Sequence, residues 1–204
     1  NSIKSFIGDV GRQTTQRARR IPEVPDLLTP DYLEENLDRP APYTLVAGMD
    51  FDTVDAVPIN LLKMGYFAIS GREKSGKTNF VRYLFSCLEK QDSGKYPVEA
   101  FVVDGYERKF EVLKQHAFVS RYTTEFEDLD VILKQMDEEG SRRLEEIKLK
   151  GIKAVDNKPL MILVIQSAQF FEPNGLSKEN TEMCKKLIKA ASKVKMFSMF
   201  TNLE

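Results

Sequence analysis

The chain has few of the residues that build metal sites and disulfide frameworks. It has no tryptophan, one histidine (His116) and two cysteines (Cys87 and Cys184). One histidine excludes a His-rich metal site and argues against a Ser–His–Asp triad. The cysteines fall within helical patterns and form no CxxC spacing. We therefore expect two buried free thiols in a reducing compartment.

An excess of charge of one sign and long apolar runs are also absent. The 204 residues include 30 Lys and Arg against 31 Asp and Glu, a formal net charge of −1. A near-neutral chain lacks the marked basic surface that tracking along duplex DNA requires. The longest apolar run, residues 160–165, is far too short to span a bilayer, and residues 1–4 begin no signal peptide. The composition predicts a globular intracellular domain.

Proline divides the chain into two parts. Residues 1–42 contain Pro22, Pro25, Pro30, Pro40 and Pro42, a density that excludes long helices. We expect an N-terminal arm or linker over 1–42 and one domain over 43–204.

Strand and helix patterns alternate within residues 43–204. They predict, in order, a β-hairpin over 43–60, a strand at 66–70, a helix from residue 79, a strand at 100–103, a long helix beginning near 124, a strand at 160–165, a helix around 183–191 and a strand at 195–200. Thr124 and Glu127 have the spacing of a capping box, and Gly140 interrupts the long helix. The alternation predicts an α/β fold, a mostly parallel sheet sandwiched by helices.

The most specific motif follows the strand at 66–70. Residues 71–78, Gly-Arg-Glu-Lys-Ser-Gly-Lys-Thr, fit G-x-x-x-x-G-K-[ST] at every fixed position. Gly71 and Gly76 let backbone N–H groups approach phosphate oxygens, Lys77 reaches the β- and γ-phosphates, and the Thr78 hydroxyl is a ligand of Mg²⁺. We expect ATP and Mg²⁺ as cofactors. The predicted binding residues are Gly71, Arg72, Glu73, Lys74, Ser75, Gly76, Lys77, Thr78 and Asn79.

A hydrolase also needs acids at the end of a second strand, for the Mg²⁺ shell and for the attacking water. The apolar run 160–165 ends in Gln166 and Ser167, without a carboxylate. Gln166 can accept a hydrogen bond from a metal-bound water but carries no negative charge, and the pKa of a serine hydroxyl is too high for a general base near pH 7. We therefore assign no catalytic residue, and expect nucleotide binding with weak or no hydrolysis.

These motifs together resemble a known family. The blocks that carry the resemblance are 21–25 (Ile-Pro-Glu-Val-Pro), 46–61, 70–82, 102–104 (Val-Val-Asp) and 116–119 (His-Ala-Phe-Val). They are similar to FtsK/SpoIIIE-type P-loop ATPase modules, and among them to the C-terminal (third) ATPase domain of the EssC/EccC family of type VII secretion coupling ATPases. The family's usual proline before the histidine of the last block is Gln115 here.

The resemblance implies more than the residues alone predict. It implies a RecA-like fold, a place on the cytoplasmic side of the cell membrane in a membrane-anchored parent protein, and no insertion of this domain into the bilayer. Implied partners are neighbouring ATPase modules of the same polypeptide and secreted WXG-type substrates or their signals; a homo-oligomer stays open. The family's Walker B acids correspond to Gln166 and Ser167, and its polar sensor to Thr201-Asn202, with Asn202 as the candidate. The family's sheet also extends further, so we expect the C-terminal end to be incomplete.

Three functions stay open at this point. The first is a nucleotide-binding regulatory or substrate-recognition module with little or no hydrolysis. The second is an active ATP hydrolase that powers protein translocation, and the third is a DNA translocase of the FtsK type, which the charge disfavours. Arg142 and Arg143 are most simply interpreted as solvated surface charges. The alternative is that one of them is an arginine finger that reaches the nucleotide site of a neighbouring subunit. His116 is expected to be structural, and Met136 and Met183 to lie in the core.

Overall fold

The computed structural model describes residues 3–6, 25, 27, 29–35, 41–91, 94–166 and 177–201. Residues 3–6 form a helical turn. The strands are β1 (Thr44–Met49), β2 (Ala56–Asn60), β3 (Tyr66–Ile69), β4 (Val98–Val103), β5 (Val119–Thr123), β6 (Leu160–Gln166) and β7 (Met196–Thr201). The helices are α1 (Pro30–Glu35), α2 (Leu61–Met64), α3 (Lys77–Lys90), α4 (Phe126–Lys150) and α5 (Lys178–Val194), with 3₁₀ turns at Glu111–Gln115 and Ile152–Val155. No helix in these ranges combines the length and apolarity needed to cross a bilayer.

The strands form a hairpin and a five-stranded sheet. β1 and β2 pair antiparallel, as the sequence predicts. The sheet has the order β3-β7-β6-β4-β5, and all its neighbouring strands are parallel. The last strand in the described chain, β7, therefore lies between the strand that leads into the phosphate loop and the most apolar strand, β6. The predicted α/β fold with a mostly parallel sheet is confirmed.

Helices cover both faces of the sheet. The face towards α3 buries alternate residues of β6, including Ile162 and Val164, against Val81 and Leu84 of the helix. The opposite face buries Leu163 and Ile165 of β6 together with side chains of α4 and α5. β6 is thus apolar throughout because it is buried on both faces, as central parallel strands are.

The long helix differs from the sequence prediction at two points. α4 runs without a break through Gly140, whose missing side chain lets the helix lie against β7: a Cβ there would meet the Met196 methyl at 3.4 Å. The capping box is wrong, because the helix begins after Glu125 without a side-chain cap. Thr123 instead accepts a hydrogen bond from the Glu125 N–H at 3.0 Å, so the residue just before the predicted cap orders the approach to the helix.

The structure also tests the predictions made for the two cysteines, the histidine and two of the methionines. Cys87 and Cys184 are buried and free, and burial raises the pKa of the Cys184 thiol to about 11. His116 is buried, with its ring stacked on Phe118, which fits a structural role. Met136 lies in the core as predicted, and Met183 packs at its margin.

The solvated-charge interpretation is wrong for Arg143. Its side chain is only 1% exposed and forms an ion pair with Glu139 at 2.7 Å. Nη1 also donates to the carbonyls of Pro159 and Val194, at 2.9 and 2.8 Å. Arg142, one residue earlier, is 56% exposed. Arg143 therefore ties α4 to the sheet, and its burial leaves it unavailable as a finger towards another subunit.

Candidate nucleotide-binding site

The phosphate loop connects β3 to α3. The chain turns through Lys74 and Gly76, both with positive φ, 61° and 91°. At Gly76 an added Cβ would meet no atom within 4 Å, so glycine is favoured there by its backbone conformation and leaves open space above the loop. At Gly71 a Cβ would lie 2.9 Å from the Ser75 hydroxyl. The sequence motif thus folds into a tight turn whose backbone is accessible.

The N-terminus of α3 is arranged to receive an anion. Gly76 is the N-cap and supplies no side-chain cap, and the first turn of the helix contains no acidic residue. The first intrahelical bond is donated by the Phe80 N–H to the Gly76 carbonyl at 2.9 Å. The preceding N–H groups at the helix start are those that a helix cannot satisfy internally, and the helix dipole adds positive potential there.

Lys77 holds its charge at the mouth of the loop. Its Nζ donates to the Gly71 carbonyl and to the Arg72 carbonyl, the latter at 2.9 Å. Both acceptors are neutral, so the positive charge of Lys77 is not neutralised by these contacts. Thr78 follows directly and is half-buried. The exposed loop residues Arg72, Glu73, Lys74 and Ser75, and the exposed Asn79 after it, complete the predicted binding set.

A row of polar residues crosses the sheet at the same edge. Ile69 at the end of β3 pairs with Thr201 of β7, and Thr201 pairs with Gln166 of β6. Val103 of β4 pairs with Ile165 of β6, so the residue that follows Val103, Asp104, lies beside Gln166 in this row. By strand alternation Gln166 shares the α3-facing side with Ile162 and Val164. The carboxyl edge beside the phosphate loop is therefore polar across three strands.

Thr201 has a buried hydroxyl with no internal partner. Its side chain is 1% exposed, and Oγ1 makes no hydrogen bond within the described structure. Such buried orphan groups are uncommon, because leaving one unpaired costs about 1–3 kcal/mol. The hydroxyl lies on the strand that pairs with β3, the strand that leads into the phosphate loop.

Gln166 stands where a hydrolase would need a carboxylate. The side chain is 4% exposed, and Oε1 accepts a hydrogen bond from the Gly105 N–H at 2.7 Å. The nearest carboxylate in the row, Asp104, was not singled out by sequence reasoning. It is fully buried and accepts from the Phe110 N–H and the Tyr122 hydroxyl, at 2.8 and 2.7 Å. Burial and this bond to Asp104 raise the pKa of Tyr122 above its usual range, so Asp104 is occupied by internal donors.

The residues present fit a nucleoside triphosphate with Mg²⁺. The open backbone N–H groups, the Lys77 ammonium and the Thr201 hydroxyl are all suited to phosphate oxygens, and Thr78 supplies a hydroxyl for the metal. Among the described residues no group of three His, Cys, Asp or Glu side chains could hold a metal ion by itself. Mg²⁺ would therefore enter with the phosphates. Ser167 and Asn202, the other two predicted positions, lie outside the described residues.

Comparison with known proteins gives matches of structure only. The sequence matches no protein-family model, and no curated protein is significantly similar to it. The EssC ATPases 2 and 3 from Geobacillus thermodenitrificans match at a TM-score of 0.68 and 20% identity over 97% of this chain. The structure of the EccC ATPases 2 and 3 from Thermomonospora curvata holds a signal sequence peptide. It matches at a TM-score of 0.64 and 14% identity over 93% of this chain.

A third similar structure is the pCW3 conjugation coupling protein TcpA with ATPγS, at a TM-score of 0.59 and 18% identity over 98% of this chain. The chain spans 36% of the EssC structure, 33% of the EccC structure and 63% of TcpA. At these identities the likeness concerns the fold. The chain thus shares the fold of the EssC, EccC and TcpA structures, which confirms, at the level of the fold, the resemblance that its motifs carry.

Proposed function

We propose that this chain is an ATP-binding domain of a type VII secretion ATPase that binds ATP with Mg²⁺ and hydrolyses it weakly or not at all. The observation that carries the proposal is the contrast within one edge of the sheet. The phosphate loop and the N-terminus of α3 are open to an anion, whereas β6 ends in the neutral Gln166.

Within this proposal the chain's own residues bind and orient the nucleotide. The N–H groups at the start of α3 and the Lys77 ammonium hold the phosphates, and Thr78 holds Mg²⁺. Thr201 donates to a phosphate or to a metal-bound water, beside the proposed sensor Asn202. Asp104, the carboxylate in the polar row, is not free to activate water, because it is bound by three donors. Losing a positioned base of this kind commonly costs 10²-fold or more in rate.

The proposal also covers the surroundings of the domain. We place residues 1–42 as an arm and 43–204 as the ATPase domain, next to other ATPase modules on the cytoplasmic side of the membrane. Secreted WXG-type proteins or their signals are the proposed substrates of the whole assembly. Support comes from the similar folds of the multi-domain EssC and EccC structures, one of which holds a signal sequence peptide.

The test combines binding with turnover. Calorimetry with ATP and Mg²⁺ should show one site per chain, and phosphate release from the same sample should not exceed background. Gln166→Asp with Ser167→Glu supplies both acids and should raise the rate. An ordinary turnover near ~1 s⁻¹ in the unmodified domain, abolished by Lys77→Ala, would overturn the non-hydrolysing function and favour a motor. Absence of ATP binding would overturn the proposal altogether.

A further inference from the structure

The two polar atoms of the Gln166 amide differ in their contacts with the described part of the chain. Oε1 is held by the Gly105 N–H on the β4 side at 2.7 Å. Nε2 donates no hydrogen bond within the described residues. Because oxygen and nitrogen lie on opposite sides of an amide carbon, anchoring Oε1 towards β4 turns Nε2 away from β4, and β7 is the neighbour of β6 on that side.

The residue that holds Oε1 begins a segment tied to several elements, the 105–110 segment (Gly105–Phe110). Asp104 Oδ1 shares the Gly105 N–H with Gln166, at 2.9 Å, and Asp104 Oδ2 accepts from the Phe110 N–H. Arg82 of α3 donates from Nη2 to the Lys109 carbonyl at 2.9 Å. The 105–110 segment is therefore connected both to β6 and to the helix that starts at the phosphate loop.

The middle of the 105–110 segment faces solvent. Tyr106 is 86% exposed, and the side chain of Arg108 is 59% exposed. Arg108 also adopts a positive φ of 51°, a conformation that an arginine holds only when its surroundings fix it. The surroundings that do so are the hydrogen bonds at the two ends of the segment. A small movement of either end would therefore change the exposed middle.

We propose that Gln166 is a positioning residue that couples the terminal phosphate of bound ATP to the 105–110 segment. Its Nε2 donates to that phosphate, and its Oε1 sets the position of Gly105. The inference rests on the proposed function, because it requires ATP in the phosphate loop. Gln166 would then act by a different chemistry from the missing carboxylate. An acid in this position would repel the phosphate unless Mg²⁺ lay between them, whereas an amide N–H donates to the phosphate directly.

The geometry makes this contact specific for a triphosphate. Neighbouring strands lie about 4.8 Å apart, so Gln166 is roughly 10 Å from β3, which feeds the phosphate loop. In the proposed pose the phosphates start at the α3 N-terminus and cross β7, so that the last phosphate lies on the Gln166 side. ADP is one phosphate shorter and leaves Nε2 unpaired. One hydrogen bond to a charged group corresponds to about tenfold in affinity, so Gln166 should favour ATP over ADP by about that factor.

The absence of tryptophan from the sequence provides a clean reporter. Tyr106→Trp places the only tryptophan of the chain on the exposed part of the 105–110 segment. Titration with ATPγS and Mg²⁺ should change its fluorescence, and ADP with Mg²⁺ should change it less. Calorimetry on the same protein measures binding separately, so failure of the proposed function (no binding) is distinguished from failure of the coupling (binding without a fluorescence change).

Three variants of the Tyr106→Trp protein test the contacts of Gln166 Oε1 and Nε2 separately. Gln166→Glu keeps an acceptor for Gly105 and loses the donor, so the starting fluorescence should be retained and the response to ATPγS lost. Gln166→Met loses both, so the starting fluorescence should also shift. Gly105→Ala tests the link from the other side, because a Cβ there would lie 2.6 Å from Gln166 Oε1. Gln115→Met is the matched control, an exposed glutamine outside the row.

The fluorescence responses of these variants either support the coupling through Gln166 or overturn it. Loss of the ATPγS response in the two Gln166 variants and in Gly105→Ala, with binding retained and the control unaffected, supports the coupling. An unchanged response in Gln166→Met shows that the signal reaches the 105–110 segment through Arg82 or another route, and overturns the inference. Equal responses of the parent to ATPγS and ADP overturn the contact with the terminal phosphate.

Discussion

The two edges of the parallel sheet use polar residues in opposite ways. At the amino edge, Arg143 is bound by Glu139 and by main-chain carbonyls. Lys195 there donates from Nζ to the carbonyls of Asp156 and Lys158, at 2.9 and 2.6 Å. At the carboxyl edge, Thr201 keeps a buried hydroxyl without an internal partner, and α3 begins without a cap.

The difference separates residues that hold the fold from residues that await a ligand. A buried charge with several internal partners stabilises the structure only as long as all of them are present. A buried group without a partner lowers stability until something outside the chain satisfies it. Substitutions at the amino edge should therefore change unfolding, and those at the carboxyl edge should change nucleotide binding.

The largest effect is expected at the amino edge. Arg143→Ala should lower the free energy of unfolding by about 3–5 kcal/mol, because Glu139 loses its buried partner, and the carbonyls of Pro159 and Val194 lose the Arg143 donor. Urea denaturation followed by circular dichroism measures the loss. Arg142→Ala is the matched control: its side chain is 56% exposed, and surface pairs contribute about 1 kcal/mol or less. Similar losses for the two variants would contradict the structural role of Arg143.

At the carboxyl edge the largest effect concerns Lys77. Lys77→Ala should weaken ATP binding by at least about 100-fold, or ~2.7 kcal/mol, because the main point charge on the phosphates is removed. The free energy of unfolding should change little, since the lysine contacts only neutral carbonyls of its own loop. Calorimetry measures the affinity, with Lys134→Ala, an exposed lysine of α4, as the control. Affinity within twofold of the parent would refute the phosphate-loop assignment.

A smaller effect is expected from the orphan hydroxyl. Thr201→Val keeps the shape of the side chain and should weaken ATP binding by about tenfold, the value of one hydrogen bond to a charged group. Stability should not fall and should rise slightly, because an unsatisfied buried group is removed. Thr201→Ser retains the hydroxyl and should bind ATP like the parent. If the valine variant binds equally well, Thr201 faces the core rather than the ligand.

The smallest expected effect depends on pH. Burial alone would raise the pKa of Glu139, but hydrogen bonds from Arg143 and Arg142 outweigh it and hold the pKa below its ordinary value. The folded state therefore binds this proton less readily than the unfolded chain. The stability that Glu139 provides should be complete above the unfolded pKa of about 4.3 and disappear as pH falls through the folded pKa.

Denaturation of Glu139→Gln and of the parent between pH 7 and pH 3 measures this contribution. The difference in unfolding free energy should be constant near neutrality and shrink in acid. Glu145→Gln, on the same helix and exposed, should show no such trend. A difference that grows as pH falls would mean that Glu139 is not stabilised as a carboxylate.

Sequence reasoning predicted the features that depend on local pattern. The phosphate loop is a contiguous motif, and Leu160–Gln166 is apolar because both faces are covered. The β5 strand was missed because Val119–Thr123 mixes polar and apolar residues at the edge of the sheet. The burial of Arg143 could not be predicted either, since its partners at 159 and 194 are distant in sequence.

The polar row at the carboxyl edge could be predicted only in part from the sequence. Gln166 and Thr201 were placed at strand ends from the sequence, but the strand order that makes them neighbours is a tertiary property. Asp104 was recognisable only as the residue after an apolar strand. Its three hydrogen bonds, which remove it from chemistry, come from residues up to 18 positions away.

The position of β7 has a consequence for the order of events during synthesis. β7 pairs with β3 on one side and with β6 on the other, although it is made after both. Until residues 196–201 leave the ribosome, β3 has no partner among the described strands, and β4, β5 and β6 can pair only with one another. A nascent chain therefore exposes a complete phosphate-binding motif before β7 joins the sheet, and we expect it to bind nucleotide only once β7 has paired with β3 and β6.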